Sequence, residues 1–250
     1  MVTLKSKREL EIMRDAGRIV AEILELLRSH CLAGVRTRDL DRIAEEETLK
    51  RSAQPAFKGY RGYPASLCAS VNQEVVHGIP GDRELRQGDI VGLDFGVIYN
   101  GYNGDASITV PIGEVAPEIR NLLRVTEECL YLGIDQAVPG NHLADISRAI
   151  QNHAEWHGYS VVKELGGHGI GKRMHEEPMV LNYVTNGRGI KLQPGLVLAL
   201  EPMVNLGADA IRTLSDGWTV VTADGKPSAH FEHTVAITPA GPEILTRTAG

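Results

Sequence analysis

The stretch Ile90–Val110, IVGLDFGVIYNGYNGDASITV, decides how the rest of the chain is read. Val91, Leu93, Phe95, Val97 and Tyr99 are apolar at every second position, the period of a strand with one buried face. Asn100-Gly101 follows. This pair is a strong hairpin signal, because a type I′ turn needs φ > 0 at both central residues. A second run starts at Tyr102. With Asn100-Gly101 as the loop, Tyr99 pairs with Tyr102 and Asp94 falls opposite Ser107. Asp105, two residues from Ser107, then shares the face of Asp94 as a diagonal neighbour roughly 7–8 Å away. Like charges that close repel unless a cation sits between them. No Lys or Arg separates the two acids. The hairpin therefore predicts either a solvated acidic face or a metal site, and such spacing suits two metals about 3.5–4 Å apart.

Outward from the hairpin, Ser6 and Glu9 read as a capping box. It opens a helix with Leu10, Met13, Gly17, Val20, Leu24 and Leu27 on one face, ended by Ala33-Gly34. A second helix is expected from about Thr37 to Arg51, and a short strand over Leu67–Val71. After Pro111 the plan repeats. Pro117 is placed to start a helix carrying Leu122, Leu123, Val125, Leu130 and Ile134, and Pro139-Gly140 stops it. Asp145-Ile146 then follows Gly140 as Asp39-Leu40 follows Gly34. Such self-similarity points to an internally duplicated fold. Later strands are expected at residues 196–200, 210–214, 218–222 and 230–237. The class is α+β, with helices covering one face of a mainly antiparallel sheet.

The later half supplies further candidate ligands. GGHGIG reads as a Gly-rich loop presenting His168, and His175 follows in MHEEP. Glu201 ends the apolar run VLALEP, where an unpaired carboxylate carries a desolvation penalty. Glu232 lies in AHFEHTVAI, sharing its face with His230 and Thr234. Two Asp, two Glu and one His form an oxygen-rich set that suits Mn, Fe, Co or Zn rather than a structural cysteine site.

Composition narrows the function classes. The chain has 250 residues, 42% hydrophobic and 23% charged, with a net charge of -6, which gives no basic surface for nucleic acid. No apolar run reaches the ~20 residues of a membrane span, and the N-terminus has no signal-peptide core. Cys31, Cys68 and Cys129 form no CxxC pair, which predicts a reducing cytoplasm.

Five segments together carry a family resemblance: VNQEVVHGIP, GDIVGLDFGVIYNGYNGDAS, GGHGIGKRMHEEP, LALEPMVN with IRTLSDGWTV, and FEHTVAIT. From about residue 4 to 245 the chain resembles the type I methionine aminopeptidases, of the pita-bread fold. The resemblance implies a single catalytic domain, 1–250, made of two pseudo-symmetric halves of about 1–115 and 116–250. It implies that Asp94, Asp105, His168, Glu201 and Glu232 hold two divalent ions (Co, Mn, Fe or Zn), with Asp105 and Glu232 bridging. Glu201 is then the general base, His77 and His175 flank the scissile carbonyl, and Tyr60, Tyr63, Cys68 and Trp218 line the methionine pocket. The implied activity is removal of the initiator methionine from nascent polypeptide N-termini, with a small second residue preferred. The implied protein is a cytoplasmic monomer in transient contact with the ribosome.

The chain also departs from the family's pattern. Asn103 and Arg61 stand where His is frequent, Gly96 and Ala199 where hydroxyl residues are, and His230 where Gln is common. Phe57 and Met174 vary at the pocket rim. Prolidases share the ligand pattern but usually carry a large extra N-terminal domain. The 26 residues from His175 to Glu201 leave no room for the helical insertion of the type II enzymes.

Overall fold

The Ser6 N–H donates to Glu9 Oε2 at 2.8 Å and the Glu9 N–H donates back to Ser6 Oγ, so the first helix begins at the capping box that the sequence predicts. A computed structural model describes residues 2–248. Its helices are α1 (Lys7–His30), α2 (Thr37–Lys50), α3 (Pro117–Asp135) and α4 (Leu143–Trp156). The strands before α3 are β1 (Gln54–Pro55), β2 (Leu67–Val71), β3 (Glu74–Val76), β4 (Ile90–Tyr99) and β5 (Tyr102–Pro111). After α4 come β6 (Ser160–Val161), β7 (Gly166–Gly169), β8 (Glu176–Leu181), β9 (Val197–Leu200), β10 (Met203–Asn205) and β11 (Ile211–Thr213). The last are β12 (Val220–Thr222), β13 (Ser228–His230), β14 (Glu232–Thr238) and β15 (Gly241–Ile244).

Nine strands form one antiparallel sheet along the path β1-β4-β5-β14-β9-β7-β8, with β2 beside β4 and β15 beside β14. Two three-stranded sheets, β13-β10-β6 and β11-β12-β3, flank it. Side chains of α1 and α2 pack on Val91, Leu93, Phe95 and Val97 of β4. Those of α3 and α4 pack on Leu198 and Leu200 of β9 and on Val235 and Ile237 of β14. Alternation along each strand sends the intervening side chains to the opposite, helix-free face. Each fully buried Leu, Val or Phe contributes roughly 1.5–3 kcal/mol, so a one-residue slip that exposed such a row is strongly disfavoured.

The β4–β5 hairpin has the expected register, with Tyr99 opposite Tyr102 and Asp94 opposite Ser107. Asn100 (φ 47) and Gly101 (φ 80) both take the positive angles that a type I′ turn demands. Two expectations need correction. GGHGIG is not a loop at His168: Gly166–Gly169 is strand β7, paired to both β8 and β9. A Cβ at Gly167 would lie 2.2 Å from the Ala199 carbonyl oxygen, so glycine is what lets β9 close on this strand. Residues 230–237 are not one strand either, because the run breaks at Phe231. Opposite the break stands Pro202, which has no N–H to give to a ladder. The register is the same on both sides of it, with Leu200 opposite His233 and Met203 opposite His230.

Candidate metal centre and substrate pocket

The unbroken register places Glu201 opposite Glu232. Glu232 pairs with Ser107, Ser107 with Asp94, and Asp94 with Cys68. One row thus crosses five strands, from β2 through β4, β5 and β14 to the end of β9. Asp105 lies two residues from Ser107, and His168 pairs with Ala199, two residues from Glu201. All five acids and histidines picked from the sequence as metal-centre candidates therefore meet on the helix-free face. One ligand atom each of Asp105, His168 and Glu232 lies within 4.8 Å of the others, and His168 Nε2 is 3.6 Å from Glu201 Oε1.

His168 Nδ1 lies 2.9 Å from the Gly169 carbonyl oxygen. A carbonyl only accepts, so Nδ1 carries the proton of the neutral ring and the Nε2 lone pair faces the acids. At Asp105 a side chain replaces the ladder: its N–H donates to Thr234 Oγ1, and the same hydroxyl donates to the Asp105 carbonyl. The insertion of a side chain there separates β5 from β14 at the acid.

The electrostatics of this face are one-sided. Burial raises the Asp94 carboxyl to about 7. Burial first, and the neighbouring carboxylates second, raise Asp105, Glu201 and Glu232 well above the ordinary carboxylate range. Asp94 Oδ1, Asp105 Oδ1, Glu232 Oε1 and His230 Nε2 are all buried without a hydrogen-bond partner. Among the described residues lining the cavity Arg61 is the one cation, and its guanidinium lies over the Tyr60 ring, 5.4 Å from the centroid. Buried carboxylates without partners are costly. Divalent cations remove that cost, and an oxygen-rich set with one imidazole fits hard or borderline ions.

Beside the acids is a cavity of about 140 Å³ lined by Tyr60, Tyr63, Cys68, His77, His175 and Trp218, together with Phe57. The Tyr63 hydroxyl donates to the Leu67 and Gly78 carbonyls, which fixes its ring against the edge of Trp218, 5.1 Å away. Trp218 is held in turn by Asp216, whose Oδ1 accepts from the Trp218 and Thr219 N–H groups. His77 sits in the left-handed region at φ 59 and meets Trp218 edge-on at 6.3 Å. Gly96 opens the other wall: a Cβ there would approach Met174 Cε and Phe57 Cε1 to 3.0 Å. The Cys68 thiol is buried and pushed well above its ordinary range by desolvation, so it is a neutral wall residue.

His175 bridges the two regions. Its ring stacks on Tyr60 at 5.4 Å, lies 4.2 Å from the His168 ring, and its Nδ1 is 2.9 Å from the Tyr60 hydroxyl. Desolvation, then His168 and Arg61, lower it to about 4, and desolvation also lowers His77. Both imidazoles are neutral at pH 7 and offer one N–H and one lone pair.

Spacing in the sequence assigns no role to His230, Thr234 or Asn103. His230 Nε2 points toward Glu201, and Asn103 holds the Gly171 carbonyl through both its backbone and its side-chain N–H groups. The signal for His230 and Thr234 was their shared face with Glu232; for Asn103 no local signal exists, because Gly171 is distant in sequence.

Comparison with known proteins agrees with this geometry. The model of "Metallopeptidase family M24" matches residues 11–239. The chain is similar to a methionine aminopeptidase of Clostridium perfringens, 53% identical over 246 residues that cover 98% of this chain and 99% of that protein. It superposes on the crystal structure of methionine aminopeptidase from Thermotoga maritima with TM-score 0.97 at 43% identity, covering 99% and 100% of the two chains. A prolidase from Pyrococcus furiosus shares the fold, with TM-score 0.81 at 24% identity, but this chain covers only 66% of it.

Proposed function

This chain belongs to metallopeptidase family M24 and is a methionine aminopeptidase of type I, and from that premise we propose how its residues divide the work and on which substrates. The enzyme is a metal-dependent exopeptidase, and its substrates are the N-termini of nascent polypeptides. Asp94, Asp105, His168, Glu201 and Glu232 would hold two divalent ions of the Co, Mn, Fe or Zn class. The orphaned carboxylate oxygens and the free His168 Nε2 support that assignment. Bound divalent ions polarise a carbonyl and make water more acidic.

Glu201 takes the proton of the attacking water and returns it to the leaving amine. The Tyr60 hydroxyl lies 2.9 Å from His175 Nδ1, and we assign it as the donor, so that the Nε2–H is left to donate to the carbonyl oxygen as charge develops there. His77 steadies the peptide on the opposite side. Tyr60, Tyr63, Cys68 and Trp218 enclose the methionine side chain, whose sulfur gains from aromatic edges. The second residue must fit between His77 and His175, so a small one is preferred.

We also read the chain as one catalytic domain of two pseudo-symmetric halves, each a helix pair with the strands beside it. It works in the cytoplasm as a monomer with a transient ribosome contact. Among the described residues no helix is long and apolar enough to cross a membrane.

The observation that carries the reading is the row of buried, unpaired carboxylates lining one cavity together with Tyr60, Tyr63, Cys68 and Trp218. The experiment is metal removal, followed by assay of release of the N-terminal residue from Met-Xaa-Gly-Gly and Ala-Pro peptides as Mn, Fe, Co or Zn is restored. Recovery with Met-Gly but not Met-Lys is expected. Equal rates on both would defeat the second-residue argument, and preference for Ala-Pro over Met-Gly would defeat the assigned specificity.

A further inference from the structure

On the helix layer, away from the carboxylate row, three ligand-type side chains converge. His153 lies in the last turn of α4 and His157 follows it as the C-cap, one helical turn on. The His157 N–H still donates to the His153 and Ala154 carbonyls, so both imidazoles leave the helix on the same side. Their centroids are 4.8 Å apart, edge to face. Glu128 comes across from α3, and its Oε2 lies 2.8 Å from His153 Nε2. One ligand atom from each residue lies within 4.8 Å of the other two, and all three side chains are half-buried, so solvent reaches them.

The carboxylate is buttressed rather than free. Arg124 Nη1 donates to Glu128 Oε1 at 2.5 Å, which turns Oε2 toward the histidines. Arg124 is anchored by Asn121 Oδ1 at 2.6 Å, and Asn121 donates to the hydroxyl of the buried Tyr159 at 2.6 Å. Outer partners of this kind are what orient first ligands at protein metal sites.

We propose that Glu128, His153 and His157 form a second metal site that takes one zinc-class ion, separate from the catalytic centre. Two imidazoles and a carboxylate leave a fourth tetrahedral position for water, and nitrogen donors select zinc, cobalt, nickel or copper over magnesium or calcium. The ion pins the end of α4 to α3, replacing the His153–Glu128 hydrogen bond with coordination. It adds one equivalent to the metal content of the folded protein without touching the substrate.

The test uses Zn2+ as the probe, with the full-length enzyme and a His153→Ala/His157→Ala variant. The double variant is expected to bind one zinc equivalent fewer by calorimetry and elemental analysis, while kcat/KM on Met-Gly-Gly stays within about twofold. Arg124→Ala should weaken that equivalent about 10–100-fold, the usual effect of losing an orienting partner. A second readout does not depend on the catalytic centre. The chain has two tryptophans, so Trp218→Phe leaves Trp156, adjacent to His157, as the one reporter. Cu2+ should quench its fluorescence, and the double histidine variant in that background should abolish the quenching. Unchanged zinc stoichiometry in the double variant, or quenching that survives it, would overturn the proposal.

Discussion

His230 Nε2 lies 3.7 Å from Glu201 Oε2, in a buried position where no other group hydrogen-bonds to it. Burial, with His77 nearby, lowers this imidazole to about 3, so it is neutral. A small side-chain rotation brings an Nε2–H into bonding range of the carboxylate. His230→Ala is expected to lower metal affinity about 10–100-fold by freeing Glu201 to turn. His230→Gln keeps a donor and should recover most of the loss. Calorimetric metal titration of both variants decides it, and equal affinities in Ala and Gln variants would remove the orienting role.

Asp105 and Glu232 share the tightest part of the acid cluster. Replacing either with Ala should abolish turnover and cut metal content. Near-normal turnover with two ions still present by elemental analysis would sink the ligand assignment.

His175→Ala should lower kcat by about 10²–10³, the usual cost of one lost electrostatic stabiliser, with metal content retained. Tyr60→Phe frees Nδ1 to carry the proton and should produce a smaller fall in kcat with little change in KM. Loss of an ion from the His175 variant would place that ring among the ligands instead.

Lys5 Nζ pairs with Glu176 Oε2 at 2.7 Å, and the two side chains are only 3% and 7% exposed. Breaking such a pair from one side strands a buried charge, at a cost of about 3–5 kcal/mol. Lys5→Met should show that loss in denaturant unfolding. Because Glu176 follows His175, the same variant should also lower kcat, whereas stability loss without any kinetic change would uncouple the two.

The Glu9 carboxyl accepts from the Ser6 N–H and from the Tyr102 hydroxyl, and these bonds lower it from 4.5 to about 2. The folded state therefore prefers the ionised acid. Its stabilisation is full above about pH 4.5 and is lost as pH falls toward 2. Glu9→Gln should lower stability at pH 7 and flatten the dependence between those limits. Circular dichroism against pH in both proteins provides the check, and identical acid transitions would contradict it.

What the sequence makes legible is local. The two-residue turn at Asn100-Gly101 fixes the register of β4 and β5, so the shared face of Asp94 and Asp105 follows without any other strand. The capping box fixes the start of α1 in the same way. The strand at His168 does not follow, because glycines signal a loop and only the approach of β9 makes them a strand. The break at Phe231 is equally hidden: its own run alternates smoothly, and Pro202 on the partner strand decides it. His230 and the Glu128–His153–His157 cluster depend on packing between elements distant in sequence, which no spacing rule encodes.

Strand β14 is the penultimate strand of the chain, yet it lies in the middle of the large sheet, between β5 and β9. During synthesis, β5 and β9, the two strands it joins, are therefore complete before it exists. Until then the Ser107 side of β5 and the Ala199 side of β9 are two open edges, each able to pair with a foreign strand. Folding is therefore expected to end with the insertion of β14, which seals both edges and delivers Glu232. A chain stopped short of β14 is thus both catalytically inert and prone to aggregate, and substitutions that slow its insertion are expected to show as lost yield rather than as lost activity.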